Sequence, residues 1–175
     1  MHNDIIIKWI FSRPQYPLPL LGLLNAIMDY HGKKIRFKDV RILNPYDSTE
    51  PYTQEKQGIL DIRTQEVSTE EWIDLEVQVI VCADYGARAQ YYLAGLYREQ
   101  LKRSQYKNYD ELKPCYGIHI LIQTYFEDKD DEKHWFNHYT MLNTRSHKPL
   151  LNHWNLYFIE IKKKNIHLLN SGVTI

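Results

Sequence analysis

Hydrophobic and polar residues alternate most regularly between Trp72 and Cys82, and this alternation predicts a β-strand. Alternate residues of a strand point to opposite faces of its sheet. The two predicted faces carry Ile73, Leu75, Val77, Val79 and Val81 on one side, and Asp74, Glu76 and Gln78 on the other. The run Gly58 to Arg63 predicts a second strand, and the polar segment Glu66 to Glu71 predicts a hairpin loop between them. We therefore expect two adjacent antiparallel strands.

Helical periodicity surrounds this hairpin. The apolar positions before Gly32 predict two helical segments separated by prolines, and the segment from Asp84 to about Arg103 predicts a long helix. Five residues of this helix are expected to face the core: Ala87, Tyr91, Ala94, Leu96 and Leu101. Three later segments predict further strands: Leu112 to Thr124, His138 to Leu142 and Leu156 to Ile161.

The chain length and charge bound the class of protein. Its 175 residues fit one domain, because domains average roughly 100–200 residues. We expect a domain over residues 1–175, with the core in about 1–125 and additional strands and a tail in 126–175. Lys and Arg together number 22, as do Asp and Glu, so the formal net charge is zero. A histone-like nucleic-acid binder is excluded, because the chain has no global positive field that would attract phosphate.

The spacing of the cysteines and the length of the apolar runs indicate the cellular compartment of the protein. Cys82 and Cys115 lie in apolar, strand-like runs without a CxxC pair, which predicts buried free thiols and argues against a zinc ribbon. No window approaches the ~18 uncharged apolar residues of a membrane span. The first residues lack the layout of a signal peptide. We expect a cytoplasmic protein without a membrane partner.

Two carboxylates lie in otherwise apolar predicted strands. Asp61 stands between Leu60 and Ile62, and Glu76 lies in the most regular strand of the chain. Burying an unpaired carboxylate is expensive, so each needs compensation. If both lie on one face of neighbouring strands, they form a hard-oxygen site that suits Mg²⁺ or Mn²⁺, with Gln78 projecting from the same face. The alternative is that all three are solvated polar positions of a half-buried sheet.

An acidic residue followed across a hairpin by Glu-x-Lys or Glu-x-Gln is the arrangement of the PD-(D/E)XK nucleases. Further segments resemble successive landmarks of one family of such enzymes: Asn3 to Phe11, Leu24 to Ile27, Ile42 to Pro45, Ile59 to Arg63, Asp74 to Gln78, Arg88 to Leu101, Tyr109 to Ile122 and Phe158 to Ile161. The chain thus resembles the recombination-promoting nucleases, also called PD-(D/E)XK nuclease family transposases. The resemblance covers nearly the whole chain in the same order.

This resemblance implies an α/β, restriction-endonuclease-like fold, with a mixed central sheet flanked by helices, and a Mg²⁺- or Mn²⁺-dependent DNA endonuclease. By position, Asp61 and Glu76 would bind the metal, and Gln78 would orient the water or the phosphate. Asp4 stands where the fold often places an extra acidic group, although it equally fits a helix N-cap.

DNA is the partner that the resemblance implies. Arg88 is expected either to contact a phosphate near the metal or to pair with Asp84 or a neighbouring acid. The best local basic face of the chain comprises Arg98, Lys102, Arg103 and Lys107. It is expected either to meet the DNA backbone or to be a solvated helix face. The low net charge favours a narrow DNA cleft or a homodimer. His119 is expected to be a satisfied core or edge histidine rather than a metal ligand.

Two departures from the family pattern leave an alternative function open. Gly95 stands in mid-helix where the family usually has lysine, and family members commonly continue past the last predicted strand. The alternative is a catalytically inactive, truncated remnant that acts as a DNA- or protein-binding module.

Overall fold

The computed structural model describes residues 7, 9–32, 37–44, 60–101, 108–126 and 134–163. Two helices and six strands form its framework. In chain order they are α1 (Leu18–Tyr30), β1 (Val40–Ile42), β2 (Leu60–Glu66), β3 (Trp72–Gln78), α2 (Tyr85–Glu99), β4 (Cys115–Leu121), β5 (Phe136–Thr140) and β6 (Trp154–Glu160). Residues 7 and 9–11 are also helical, and a 3₁₀ turn, Tyr109–Glu111, precedes β4.

The six strands form one mixed sheet in the order β1-β2-β3-β4-β6-β5. Strands β1, β2 and β3 pair antiparallel, as the predicted hairpin requires. Strands β3, β4 and β6 pair parallel, and β5 closes the edge antiparallel to β6. Parallel neighbours need a crossover connection, which α2 provides between β3 and β4. The predicted α/β fold with a mixed sheet flanked by helices is confirmed.

One face of the sheet is apolar and lies under α1. This helix buries Leu20, Leu24, Ile27 and Met28, and the chain leaves it through Gly32, whose φ of 69° suits glycine. The sheet side of this core includes Ile62, Ile73, Leu75, Val77, Tyr116, Ile118, Tyr157 and Ile159. The apolar half of the alternation predicted in β3 therefore points to α1.

Helix α2 covers the opposite face. It buries Tyr85, Ala89, Leu93 and Leu96 against Cys115, Leu121, Leu156 and Phe158. The prediction that Ala87, Tyr91 and Ala94 face the core is wrong: all three are exposed, and Tyr91 retains 75% of its accessible surface. The physical reason is helical spacing: Tyr85, Ala89, Leu93 and Leu96 share one side of the helix, and the three exposed residues lie on the opposite side.

The strand predicted from Trp72 to Cys82 ends earlier, at Gln78. Val79 and Ile80 are exposed in the bend that follows. The expectation of two buried thiols is therefore wrong for Cys82, which is exposed beyond the strand, and right for Cys115 in β4; both are free cysteines.

Several amides from the sequence landmarks bind backbone. Asn25 of α1 donates to the carbonyl of Phe37 and accepts from its N–H, both at 2.9 Å. Gln100 makes the same pair of bonds with Lys113, at 3.0 and 2.8 Å. These bonds anchor the connections that lead into β1 and β4. In the described ranges, no helix is long and apolar enough to cross a membrane.

Candidate metal centre

Three polar residues stand in one row across the sheet. Asp61 of β2 is the register partner of Glu76 in β3, and Glu76 is the register partner of His119 in β4. Directly opposed residues of neighbouring strands share a face of the sheet. Asp61 and Glu76 therefore meet on the face that α2 covers. Gln78 lies two residues beyond Glu76 and projects from this face as well.

Three side chains hold the carboxylate of Glu76, whose side chain is only 1% exposed. The Tyr85 hydroxyl donates to Oε2 at 3.0 Å, and Nδ1 of His119 lies 3.2 Å from the same oxygen. Because a carboxylate only accepts, Nδ1 of His119 carries the hydrogen. Oε1 accepts from the Arg88 guanidinium at 2.5 Å. The buried acid is thus bonded through both oxygens.

These contacts keep Glu76 ionised. Burial by itself raises the pKa of a carboxyl group, because it removes water from the charged form. The bond and charge of His119, the charge of Arg88 and the bond from Tyr85 outweigh burial and lower the pKa of Glu76 below its ordinary 4.5. The carboxylate therefore remains an anionic oxygen donor at neutral pH.

Asp61 is the more exposed of the two carboxylates, with 34% of its side chain accessible to solvent. Its Oδ2 lies 3.7 Å from Nε of Arg63. Asn44 fixes the backbone on both sides of Ile62, donating to the Asp61 carbonyl at 3.2 Å and accepting from the Arg63 N–H at 2.7 Å. The strand thus holds the Asp61 backbone while the carboxylate stays accessible to solvent.

The amide of Gln78 has a fixed orientation. Its Nε2 donates to the Ile80 carbonyl at 2.7 Å. A carbonyl only accepts, so the NH₂ group must be the one that faces Ile80. Oε1 of Gln78 is buried and has no hydrogen-bond partner among the described residues. This side chain therefore offers an acceptor oxygen.

Asp74 adds a third acid to this face of the sheet. It is only 4% exposed, and its Oδ1 is buried without a hydrogen-bond partner in the described ranges. Burial first, and then the charge of Asp61, raise its pKa to about 7, against the opposing charge of Arg63. The sequence pattern identified Asp74 only as a polar strand position.

The chain was compared with protein families, with curated proteins and with solved structures. The model of the PD-(D/E)XK nuclease family transposases matches residues 1–169. The chain belongs to this family. Searches of curated proteins and of solved structures found no match. Family membership supports a function of the nuclease or transposase type, and PD-(D/E)XK nucleases generally depend on a divalent metal.

The donor chemistry of this family member fits a hard divalent cation. Mg²⁺ is usually bound through one or two carboxylates and keeps several waters, rather than being enclosed by protein ligands. Asp61 and Glu76 supply two carboxylates at one register position. Oε1 of Gln78, for which the described part of the chain offers no hydrogen-bond partner, is a neutral oxygen on the same face. Within the described ranges, no group of three or more His, Cys, Asp or Glu side chains is arranged to hold a metal. The fit therefore rests on the carboxylate pair.

The predicted DNA-contacting residues have different outcomes. Arg88 pairs with Glu76, which places it at the carboxylate pair instead of at Asp84. Arg98 is exposed in the last turn of α2. Lys102, Arg103 and Lys107 lie outside the described residues, as does Asp4.

Two residues of the site were not predicted from the sequence as contributors. His119 is buried as expected, but it bonds Glu76 rather than only filling the core. Tyr85 stands at the start of α2, and burial together with the charge of Glu76 raises the pKa of its hydroxyl, which therefore remains a donor. The available signal for His119 was a polar residue in an otherwise apolar strand.

Proposed function

We propose that this family member is a metal-dependent DNA endonuclease that hydrolyses phosphodiester bonds. The observation that carries the proposal is the direct register of Asp61 with Glu76, one carboxylate open to solvent and the other held ionised. Family membership supports a nuclease, and the pair supplies the oxygen donors that its chemistry needs.

Each residue has a distinct part in this proposal. Bound Mg²⁺ or Mn²⁺ would supply Lewis-acid activation of the phosphate and lower the pKa of a water. Glu76 binds the cation in an orientation that Tyr85 and His119 fix through Oε2. Asp61 binds it from the exposed side of the row.

Gln78 orients the attacking water or the phosphate. Its Oε1, which has no hydrogen-bond partner among the described residues, can accept a hydrogen from water. Its NH₂ group gives one hydrogen to the Ile80 carbonyl and has a second that can be donated to a phosphate oxygen. A lysine at this position would add a positive charge, which glutamine does not. Gln78 therefore contributes to positioning without electrostatic stabilisation of the transition state.

The basic residues after the middle of α2 are proposed to contact the DNA backbone. Arg98 presents an exposed guanidinium there, and Lys102 and Arg103 follow in sequence. Because the chain has no net charge, such contacts would supply most of its non-specific affinity, and binding would weaken steeply with added salt.

Cleavage of supercoiled plasmid tests the proposal. Wild-type protein should nick the plasmid with Mg²⁺ or Mn²⁺ and not with EDTA, and both Asp61→Asn and Glu76→Gln should abolish nicking. Asp39→Asn is the matched control, because Asp39 is an exposed aspartate that precedes β1. Nicking that persists in both site variants would overturn the assignment of the site.

A binding module without catalysis is the second candidate. The observation that favours it is that both oxygens of Glu76 are already bonded within the chain, one of them by a guanidinium. A well-folded wild-type protein that binds DNA and fails to cut it with either metal would support this alternative.

A further inference from the structure

The contacts of Glu76 leave one place for a cation. An ionised carboxylate has about four lone-pair positions, two on each oxygen. On Oε2, the Tyr85 hydroxyl and the His119 ring occupy both. On Oε1, Arg88 is the one hydrogen-bond donor that the described residues provide. A metal bound by Glu76 must therefore approach Oε1. This is also the oxygen that the Arg88 guanidinium contacts.

The Arg88 guanidinium and a divalent metal ion would repel each other at Oε1. The Glu76 side chain is almost fully buried, so charges around it are weakly screened by water. A guanidinium and a divalent cation on one carboxylate oxygen would repel each other strongly at such separations. The ion pair with Arg88 and the binding of a metal are therefore alternatives at Oε1.

The surroundings of Arg88 allow its guanidinium to move away from Oε1. Its side chain is 23% exposed, and its Nε is buried without a hydrogen-bond partner in the described part of the chain, so the guanidinium does not use both arms of its fork on the carboxylate. Its Cζ also lies 5.3 Å from the ring centre of Tyr92 and 5.4 Å from that of Tyr85. These aromatic faces can stabilise the guanidinium beside the site after it has left Glu76.

We propose that Arg88 is the counterion of Glu76 in the metal-free site, and that a divalent cation and the Arg88 guanidinium compete for Oε1. Arg88 holds the Glu76 carboxylate in place before metal arrives, and it is displaced when metal binds. This inference rests on the proposed function, because it takes Asp61 and Glu76 as the metal-binding pair.

Calorimetric titration with Mn²⁺ at pH 8 tests the competition. Arg88→Met removes the competing charge and should tighten Mn²⁺ binding at least tenfold. Arg145→Met is the matched control, an exposed arginine in the turn between β5 and β6, and should leave the affinity within twofold of the wild type. An unchanged or weaker affinity in a folded Arg88→Met protein would overturn the proposal.

A second variant guards against misfolding. Arg88→Gln keeps a hydrogen-bond donor near Glu76 without the charge, so it should also bind Mn²⁺ more tightly if Arg88→Met does not fold. Asp61→Asn distinguishes a failure of the proposed competition from a failure of the proposed metal-binding pair. If it weakens Mn²⁺ binding while neither Arg88 variant strengthens it, only the competition is refuted. If wild-type protein binds no Mn²⁺, or Asp61→Asn has no effect on binding, the metal pair itself is refuted.

Discussion

The carboxylate of Glu66 is expected to stabilise the hairpin that carries Asp61 and Glu76, and to do so only above acidic pH. Glu66 ends β2 and is 1% exposed. It accepts bonds from the backbone N–H groups of Lys38, Ser68 and Thr69 and from the hydroxyls of Ser68 and Thr69.

The size of the effect follows from the pKa of Glu66. Burial by itself would raise that pKa, but the bonds from Thr69, Ser68 and Lys38 together outweigh burial and lower it from 4.5 to about 2. A carboxyl group whose pKa is lower in the folded state contributes stability above its unfolded pKa and loses it as the pH falls through the folded value. One pKa unit corresponds to about 1.4 kcal/mol, so the contribution is about 3 kcal/mol at pH 7, lost between pH 4.5 and about 2.

Urea unfolding of Glu66→Gln checks this prediction. The variant should lose about 3 kcal/mol of unfolding free energy at pH 7, because an amide cannot accept all of these bonds. At pH 3 the loss should be clearly smaller, because Glu66 already contributes less to the unfolding free energy of the wild-type protein at that pH. Glu111→Gln, at an exposed glutamate, is the control and should change little at either pH. An equal loss at both pH values would show that the ionised form of Glu66 does not supply this stability.

Three further substitutions are expected to change stability in urea unfolding at pH 8. Gly95→Ala should stabilise by about 0.5–1 kcal/mol, because the added Cβ meets no atom within 4 Å; destabilisation would contradict this. Asn44→Ala should cost about 1–3 kcal/mol, because it removes both bonds that bracket Asp61 and Arg63; an unchanged midpoint would contradict it. Asp74→Asn should stabilise by about 1–3 kcal/mol by removing a buried charge with an unpartnered oxygen, and a loss of stability would refute that.

The pairing of Asp61 with Glu76 was accessible from sequence because its determinants are local. A strand has a side-chain period of two, and a short hairpin places neighbouring segments side by side. These two rules suffice to put both carboxylates on one face. The end of β3 was less predictable from the sequence, because β3 ends where its pairing with β4 ends. For this reason Cys82 was wrongly predicted to be a buried strand residue.

The partners of Glu76 depend on contacts that are distant in sequence. His119 reaches Glu76 through the parallel register of β3 and β4, which a helical crossover separates along the chain. Tyr85 and Arg88 reach it because the first turns of α2 pass over β3. The pattern of apolar residues in α2 does not reveal these contacts, because they depend on how the helix packs on the sheet.

Glu160 shows how a landmark residue far along the chain supports the site. It is fully buried in β6, and its Oε1 accepts from the N–H groups of Tyr125 and Phe126 at 2.7 and 3.2 Å. Its Oε2 lies 3.0 Å from Nζ of Lys163. The Tyr125 hydroxyl in turn accepts from the N–H of Gly86 at 2.9 Å, in the first turn of α2. This chain of bonds links β6 to the helix that presents Tyr85 and Arg88 to Glu76.

The proposed metal centre can be tested directly by a crystal structure of the protein soaked in Mn²⁺, with anomalous scattering measured at the manganese edge. We expect an anomalous peak within ligand distance of both Asp61 and Glu76, with the Arg88 guanidinium turned away from Oε1. Anomalous peaks elsewhere, with the Arg88 pair to Glu76 intact at a saturating metal concentration, would contradict this expectation.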